Sequence, residues 1–180
     1  AMAYLSDTAG LTEPLFNGKA TVARSIVPAI QISSTINDPA KEGEFYAALP
    51  AIPSFDIAKA KEFMAKSSVP DGFTVDLPVD PSQPWMSPYA QNLAQNAKEV
   101  GIIINVKNVS ASEWGAGLTD PEASPLQLLA LGTGTPSPSE LPPVILGTIF
   151  NPSGYTTPEL TKQLDALAAA PTAADTIPLL

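Results

Sequence analysis

Residues 73–109 constrain this chain more than any other stretch. Phe73, Val75, Leu77 and Val79 alternate with Thr74, Asp76 and Pro78, the period-two pattern of a half-buried strand. Pro78 has no backbone donor, which places it at the strand's end or on a sheet edge. Residues 82–100 carry Trp85, Tyr89, Leu93 and Ala97 at every fourth position, with Met86 and Ala90 beside them. That spacing predicts an amphipathic helix, and Gly101 suits its end. Residues 102–109 are dense in β-branched side chains, as in a strand buried on both faces. A strand, a long helix and a strand in this order pair in parallel through a right-handed crossover.

The flanking segments extend the pattern. Asp56 is a good N-cap for a helix with Ile57, Ala60, Phe63 and Met64 on one face, and Pro70-Asp71-Gly72 is a turn. Ser110 and Glu113 have capping-box spacing at the head of a short helix that holds Trp114 and Leu118. Residues 126–131 predict a third strand, residues 141–150 a short helix limited by Pro142 and Pro143, and Thr157-Pro158-Glu159 opens a last helix with Leu160, Leu164 and Leu167 inward. Upstream, residues 2–16 predict one helix despite Pro14, and residues 19–53 a long surface excursion with room for one short strand. The fold class is therefore α/β, a mostly parallel or mixed sheet flanked by helices, within one domain over residues 1–180.

In such sheets ligands sit beyond the carboxyl ends of the strands. That rule points to residues 80–85, 109–114 and 132–139. The last of these follows an apolar run that stops abruptly, in the stretch PLQLLALGTGTPSPSELPP. Its glycines raise the possibility of a phosphate loop. The dinucleotide fingerprint, however, needs a third glycine three residues after Gly134, where Ser137 stands before Pro138, and no Gly-Lys-Ser/Thr is present.

Composition narrows the chemistry further. Eighteen acidic residues against nine basic ones give a net charge of −9, which argues against nucleic acid and anionic membrane surfaces as partners. Histidine and cysteine are both absent. That removes the usual general base, thiol nucleophiles, disulfides and the commonest metal ligands. The acids are scattered, so no metal cluster and no cofactor is expected. This is a poor toolbox for an enzyme.

Several segments, in this order, resemble the larger lobe of solute-binding proteins that serve peptide-, oligopeptide- and nickel-type ABC importers. Phe55-Asp56-Ile57-Ala58-Lys59-Ala60-Lys61-Glu62-Phe63-Met64 is similar to the family's Y-D-P-x-K-A-K-x-L-L helix. Val69-Pro70-Asp71-Gly72-Phe73 resembles its Y-P-D-G-F turn. Asn92 to Ile102 resembles the helix-to-strand junction x-L-x-x-I-G-I, and Glu113-Trp114 its E-W pair. Asn151-Pro152-Ser153-Gly154-Tyr155 with Pro158-Glu159-Leu160 resembles N-x-x-G-Y-x-N-P-E-F. The match runs over residues 18–167.

The resemblance implies a type II periplasmic-binding-protein-like lobe. It implies a two-lobed protein outside the cytoplasmic membrane that closes on a small-molecule or peptide ligand and docks on ABC permease subunits. A lipid anchor would be the only tie to the membrane. The ends of the chain read as cut, with the second lobe and the signal sequence outside it. Trp114 falls where relatives place a cleft tryptophan, although a core tryptophan would have the same spacing. Gly132 falls at the glycine before the cleft turn. Peptide-binding relatives follow it with a tryptophan and, four positions after the glycine, an aspartate for the ligand's α-ammonium. Here those positions are Thr133 and Pro136. Thr133, Gly134 and Thr135 offer hydroxyls and a backbone N–H. Glu140 is the one acid soon after the turn, so either it replaces the aspartate or the ligand has no free amine. Plain turn residues, a structural or adhesion module of a surface protein, and a nucleotide-binding enzyme domain stand as the competing readings.

Overall fold

A computed structural model describes residues 1–120, 122, 124–147, 150–151 and 153–180. In chain order its elements are α1 (Met2–Leu5), α2 (Thr8–Phe16), α3 (Ala29–Ile36), α4 (Pro39–Ala48), α5 (Ile57–Ala65), β1 (Thr74–Val79), α6 (Met86–Lys98), β2 (Ile103–Asn108), α7 (Ala111–Gly117), α8 (Leu141–Leu146), α9 (Pro158–Ala168) and α10 (Ala173–Thr176). A 3-10 turn over Ile177–Leu179 follows. The chain folds as two compact units, one formed by Ala1–Val22 with Pro53–Leu129 and the other by Ala23–Ile52 with Ala130–Leu180.

The first unit is built on the predicted crossover. β1 and β2 pair in parallel, in register from Thr74 opposite Ile103 to Val79 opposite Asn108. α6 covers them with Met86, Ala90, Leu93, Ala94 and Ala97 buried against Leu77, Val79, Ile102 and Ile104. Side chains of this size stabilise by about 1.5–3 kcal/mol each when fully buried. Leu77, Val79, Met86 and Ile102 are all inaccessible, so this interface dominates the unit. Trp85 and Tyr89 meet edge to face at 6.3 Å and pack on the same cluster, as their helical spacing implies.

The carbonyls of Phe73 and Val79 accept from the N–H groups of Ile103 and Val109. By alternation Thr74, Asp76 and Pro78 present their backbone to the opposite edge. Pro78 therefore sits where its missing donor breaks no rung of the ladder.

Asp56 caps α5 by accepting from the Lys59 N–H at 2.9 Å, and its own N–H donates to the Tyr4 carbonyl. The Tyr4 and Phe63 rings stack at 5.4 Å, which fastens α1 to α5. The expected single helix over residues 2–16 is two, because Asp7 turns its carboxylate onto the Gly10 N–H and starts α2 afresh. The expected third strand over 126–131 does not form. Leu126 and Leu128 do pack on the core, but the chain there joins no ladder among the described residues. Gln127 instead donates to the carbonyls of Gly117 and Ser124.

In the second unit, the segment read as an excursion forms α3 and α4. Asp38 accepts from the N–H groups of Ala40 and Lys41, with Pro39 preset in the first helical turn. α9 forms as expected, capped by Thr157, with Leu167 buried and Leu160 and Leu164 half-buried. Phe45, Leu49, Leu146, Leu164 and Leu167 line a partly open apolar pocket of about 110 Å³. α8 occupies the first part of the predicted 141–150 helix; Thr148 and Ile149 of that segment, and Pro152 of the Asn151–Tyr155 motif, lie outside the described residues.

Two glycines named from the sequence meet in the first unit. Gly72 has φ +90° and Gly101 φ +79°, and a Cβ on Gly72 would lie 2.0 Å from the Gly101 carbonyl oxygen. Gly72→Ala should cost about 2–4 kcal/mol, because backbone rather than a flexible side chain blocks it. Gly115→Ala, inside α7 with nothing within 4 Å, should instead stabilise by about 0.5–1 kcal/mol. Urea unfolding of the two variants checks both signs.

Candidate functional site

The turn after Leu131 is held by hydrogen bonds from outside its glycines. Glu140 sits at the head of α8, but its side chain folds back over the turn. One carboxylate oxygen accepts from the Gly134 N–H at 2.6 Å. The other accepts from the Thr135 N–H at 2.9 Å and the Thr135 hydroxyl at 2.8 Å. On the other side of Thr135, the Gln31 Nε2 of α3 donates to the Thr135 carbonyl at 2.7 Å. Gln31 is only 2% exposed, and its Oε1 is buried without a partner. Thr135 is thus gripped at its N–H, its hydroxyl and its carbonyl.

These contacts hold the Glu140 carboxyl below its ordinary range. The Gly134 N–H contributes most, then the Thr135 hydroxyl and N–H, and the Gln31 amide least; slight desolvation opposes them. Gly132, Thr133, Gly134, Thr135 and Pro136 are all exposed. A Cβ on Gly132 would meet nothing within 4 Å, and neither Gly132 nor Gly134 has a positive φ. The glycines therefore leave the turn open rather than shape it. The N–H groups that a phosphate would need are already taken by a carboxylate.

Trp114 lies in the first unit. The capping box predicted for α7 is present: the Ser110 hydroxyl accepts from the Glu113 N–H at 3.2 Å, and the Glu113 carboxylate accepts from the Ser110 N–H at 2.9 Å. The Ser110 hydroxyl, and then its N–H, hold the Glu113 carboxyl below the usual range. Glu113 thereby fixes the helix on which Trp114 is the next residue. The indole is half-buried against the core of β1, β2 and α6, and its Nε1 is enclosed with no acceptor. Asp80, just past β1, is 4% exposed and closes its own turn by accepting from the Ser82 N–H and hydroxyl. Among the described residues no group of three or more metal-ligating side chains occurs, and no helix is long and apolar enough to cross a membrane.

Gln31 was not legible as part of this arrangement. Its partner lies 104 positions away, and nothing in its own neighbourhood marks it.

The sequence pattern of the bacterial extracellular solute-binding proteins, family 5 Middle, matches residues 1–149. The chain belongs to that family. Solved structures agree on the fold of this family 5 chain. NikA from Staphylococcus aureus, in complex with Ni(L-His)2, is similar with a TM-score of 0.77 at 19% identity, covering 99% of this chain and 36% of that one. A dipeptide-binding protein from Pseudoalteromonas sp. SM9913, in complex with Met-Leu, gives 0.79 at 16%, covering 99% and 34%. A periplasmic oligopeptide-binding protein from Thermotoga maritima, bound to mannohexaose, gives 0.73 at 15%, covering 99% and 36%. The chain thus spans about a third of the length of these proteins. A comparison with curated protein sequences gives no match. The expected α/β fold of the type II periplasmic-binding-protein kind holds, with a two-stranded parallel sheet among the described residues.

Because the Glu140 carboxyl titrates below its unfolded value, its grip on the turn is complete above about pH 4.5 and is lost as the pH falls through the lower folded value. The Gly134 and Thr135 amide resonances should therefore move together on acidification, below the ordinary carboxylate range. Glu140→Gln should abolish that titration, which heteronuclear NMR would follow directly.

Proposed function

We propose that this chain forms, over residues 1–180, the larger ligand-binding lobe of a two-lobed extracytoplasmic solute-binding protein. The whole protein hands a small molecule to the permease of an ABC importer and carries out no catalysis. A lipid anchor outside residues 1–180 tethers it. Membership of family 5 and the shared fold support this reading.

The observation that carries the ligand reading is the state of the 132–140 turn. A desolvated ammonium needs a carboxylate partner. Pro136 offers none, and Glu140 spends both of its oxygens on Gly134 and Thr135. What remains exposed for a ligand is Gly132, the Thr133 hydroxyl and backbone. The ligand we infer is one without a free α-ammonium, because Glu140 is engaged as a clamp of the turn rather than left free as an anchor. The related folds have been solved with a nickel–histidine complex, a dipeptide and a hexasaccharide, so the scaffold itself imposes no single ligand class. For Trp114 the reading is separate: its flat, half-buried ring is a platform for apolar ligand groups at small entropic cost.

Calorimetry on the full-length protein with Met-Leu, N-acetyl-Met-Leu and mannohexaose tests this. The two dipeptide forms should bind within about tenfold of each other, a difference of about 1.4 kcal/mol. A free-amine form bound a hundredfold more tightly would overturn the reading. Ligand should change the Trp114 emission and Trp114→Ala should weaken binding; unchanged affinity would make Trp114 a packing residue only.

A further inference from the structure

Three donors converge on one carboxylate in the second unit, with a fourth group beside them. The Gly134 and Thr135 N–H groups and the Thr135 hydroxyl are directed at Glu140, and the Gln31 amide faces it. Successive backbone N–H groups in a turn make a concavity for an anion. Gln31 adds rigidity, since its amide is nine-tenths and more buried and also pins the Thr135 carbonyl. No charged side chain appears among the groups that set the Glu140 carboxyl; every contributing partner is a neutral donor. The arrangement is that of an anion receptor, and the anion it holds is a side chain of the same chain.

We propose that the 132–140 turn is an anion-receiving nest with Glu140 as its resident anion, and that Glu140 determines specificity by keeping ligand carboxylates and phosphates off the turn. Five positions separate Glu140 from Thr135, so the carboxylate reaches the nest as an intramolecular ligand at an effective concentration in the millimolar range or above. An external anion of equal chemistry competes poorly against it, and its approach is also opposed by the resident charge. Gln31 is a positioning residue: it fixes the Thr135 carbonyl, on the peptide next to the one whose N–H meets the carboxylate, and so limits how Thr135 can turn. This inference rests on the turn being a ligand contact, as proposed above, but the nest itself can be tested without any transported ligand.

The test uses the full-length protein and two probes, acetate and inorganic phosphate, read through the Gly134 and Thr135 amide resonances. In the wild type neither probe should shift them. In Glu140→Ala, acetate should shift both in a saturable way, with at least tenfold higher affinity than the wild type, and should restore their protection from hydrogen exchange. Adding Gln31→Met, which keeps the side chain's volume but removes the donor, should reduce that acetate affinity severalfold. Absence of saturable shifts in Glu140→Ala, or equal shifts in the wild type, would overturn the proposal. Should Glu140→Ala not fold, Glu140→Gln serves: its neutral amide should leave the two N–H groups with faster exchange than in the wild type while the α9 amides stay protected, and opening of α9 to the same degree would refute a local nest. A confirmed nest together with transported ligands that never perturb the turn would sink the ligand reading alone.

Discussion

The first unit depends on burying one face of α6 against two parallel strands. Parallel pairing brings no local turn to hold the strands together, so the crossover helix must supply the contact that keeps them aligned. It does so through the small residues Ala90, Ala94 and Ala97, which let the helix approach closely, with Met86 at its start and Leu93 at its middle filling the larger gaps. The backbone contact between Gly72 and Gly101 fixes the start of both strands at the same level. The register from Thr74 opposite Ile103 follows from that contact. A two-stranded sheet is marginal by itself, and its stability here is borrowed from the helix that covers it.

Much of this was legible because its signals are local. The alternation from Phe73 to Val79, the fourfold spacing of α6 and the capping residues Asp56, Ser110 and Thr157 each encode a structure within a few residues. The misreadings have equally physical causes. Asp7 and Asp38 were available as caps, but the continuous helical spacing of residues 2–16 hid the break at Asp7, and the scattered prolines of residues 19–53 masked the helices there. Residues 126–131 have strand composition, and Leu126 and Leu128 do pack on the core, yet composition cannot say whether a hydrogen-bonding edge is at hand. Gln127 shows the alternative that won, a side chain satisfying the end of α7 rather than a backbone satisfying a ladder.

The candidate residues divide in the same way. The motif order singled out Gly132, Thr133, Gly134, Thr135, Glu140 and Trp114. It also exposed the missing acid at Pro136. It did not reveal that Glu140 is committed to the turn's own N–H groups, because a hydrogen bond between residues five or six apart in an irregular segment has no sequence signature. The Gln31 contact was further out of reach, since it joins α3 to a turn more than a hundred residues later. Family membership gives the fold and the class of protein, while the chemistry of this turn comes from how Glu140 is used and from Gln31, which the motif order does not single out.

The placement of Pro78 has a consequence for association between copies. The edge of β1 that faces away from β2 carries the backbone groups of Thr74, Asp76 and Pro78, which join no ladder among the described residues, and an unpaired edge is a template for strand addition. Pro78 withholds one donor, and its ring crowds the approach beside it. A foreign strand could add only along the first half of β1, too short a run to nucleate a growing sheet. One imino acid thus lowers the risk of fibrous aggregation without disturbing any hydrogen bond to β2.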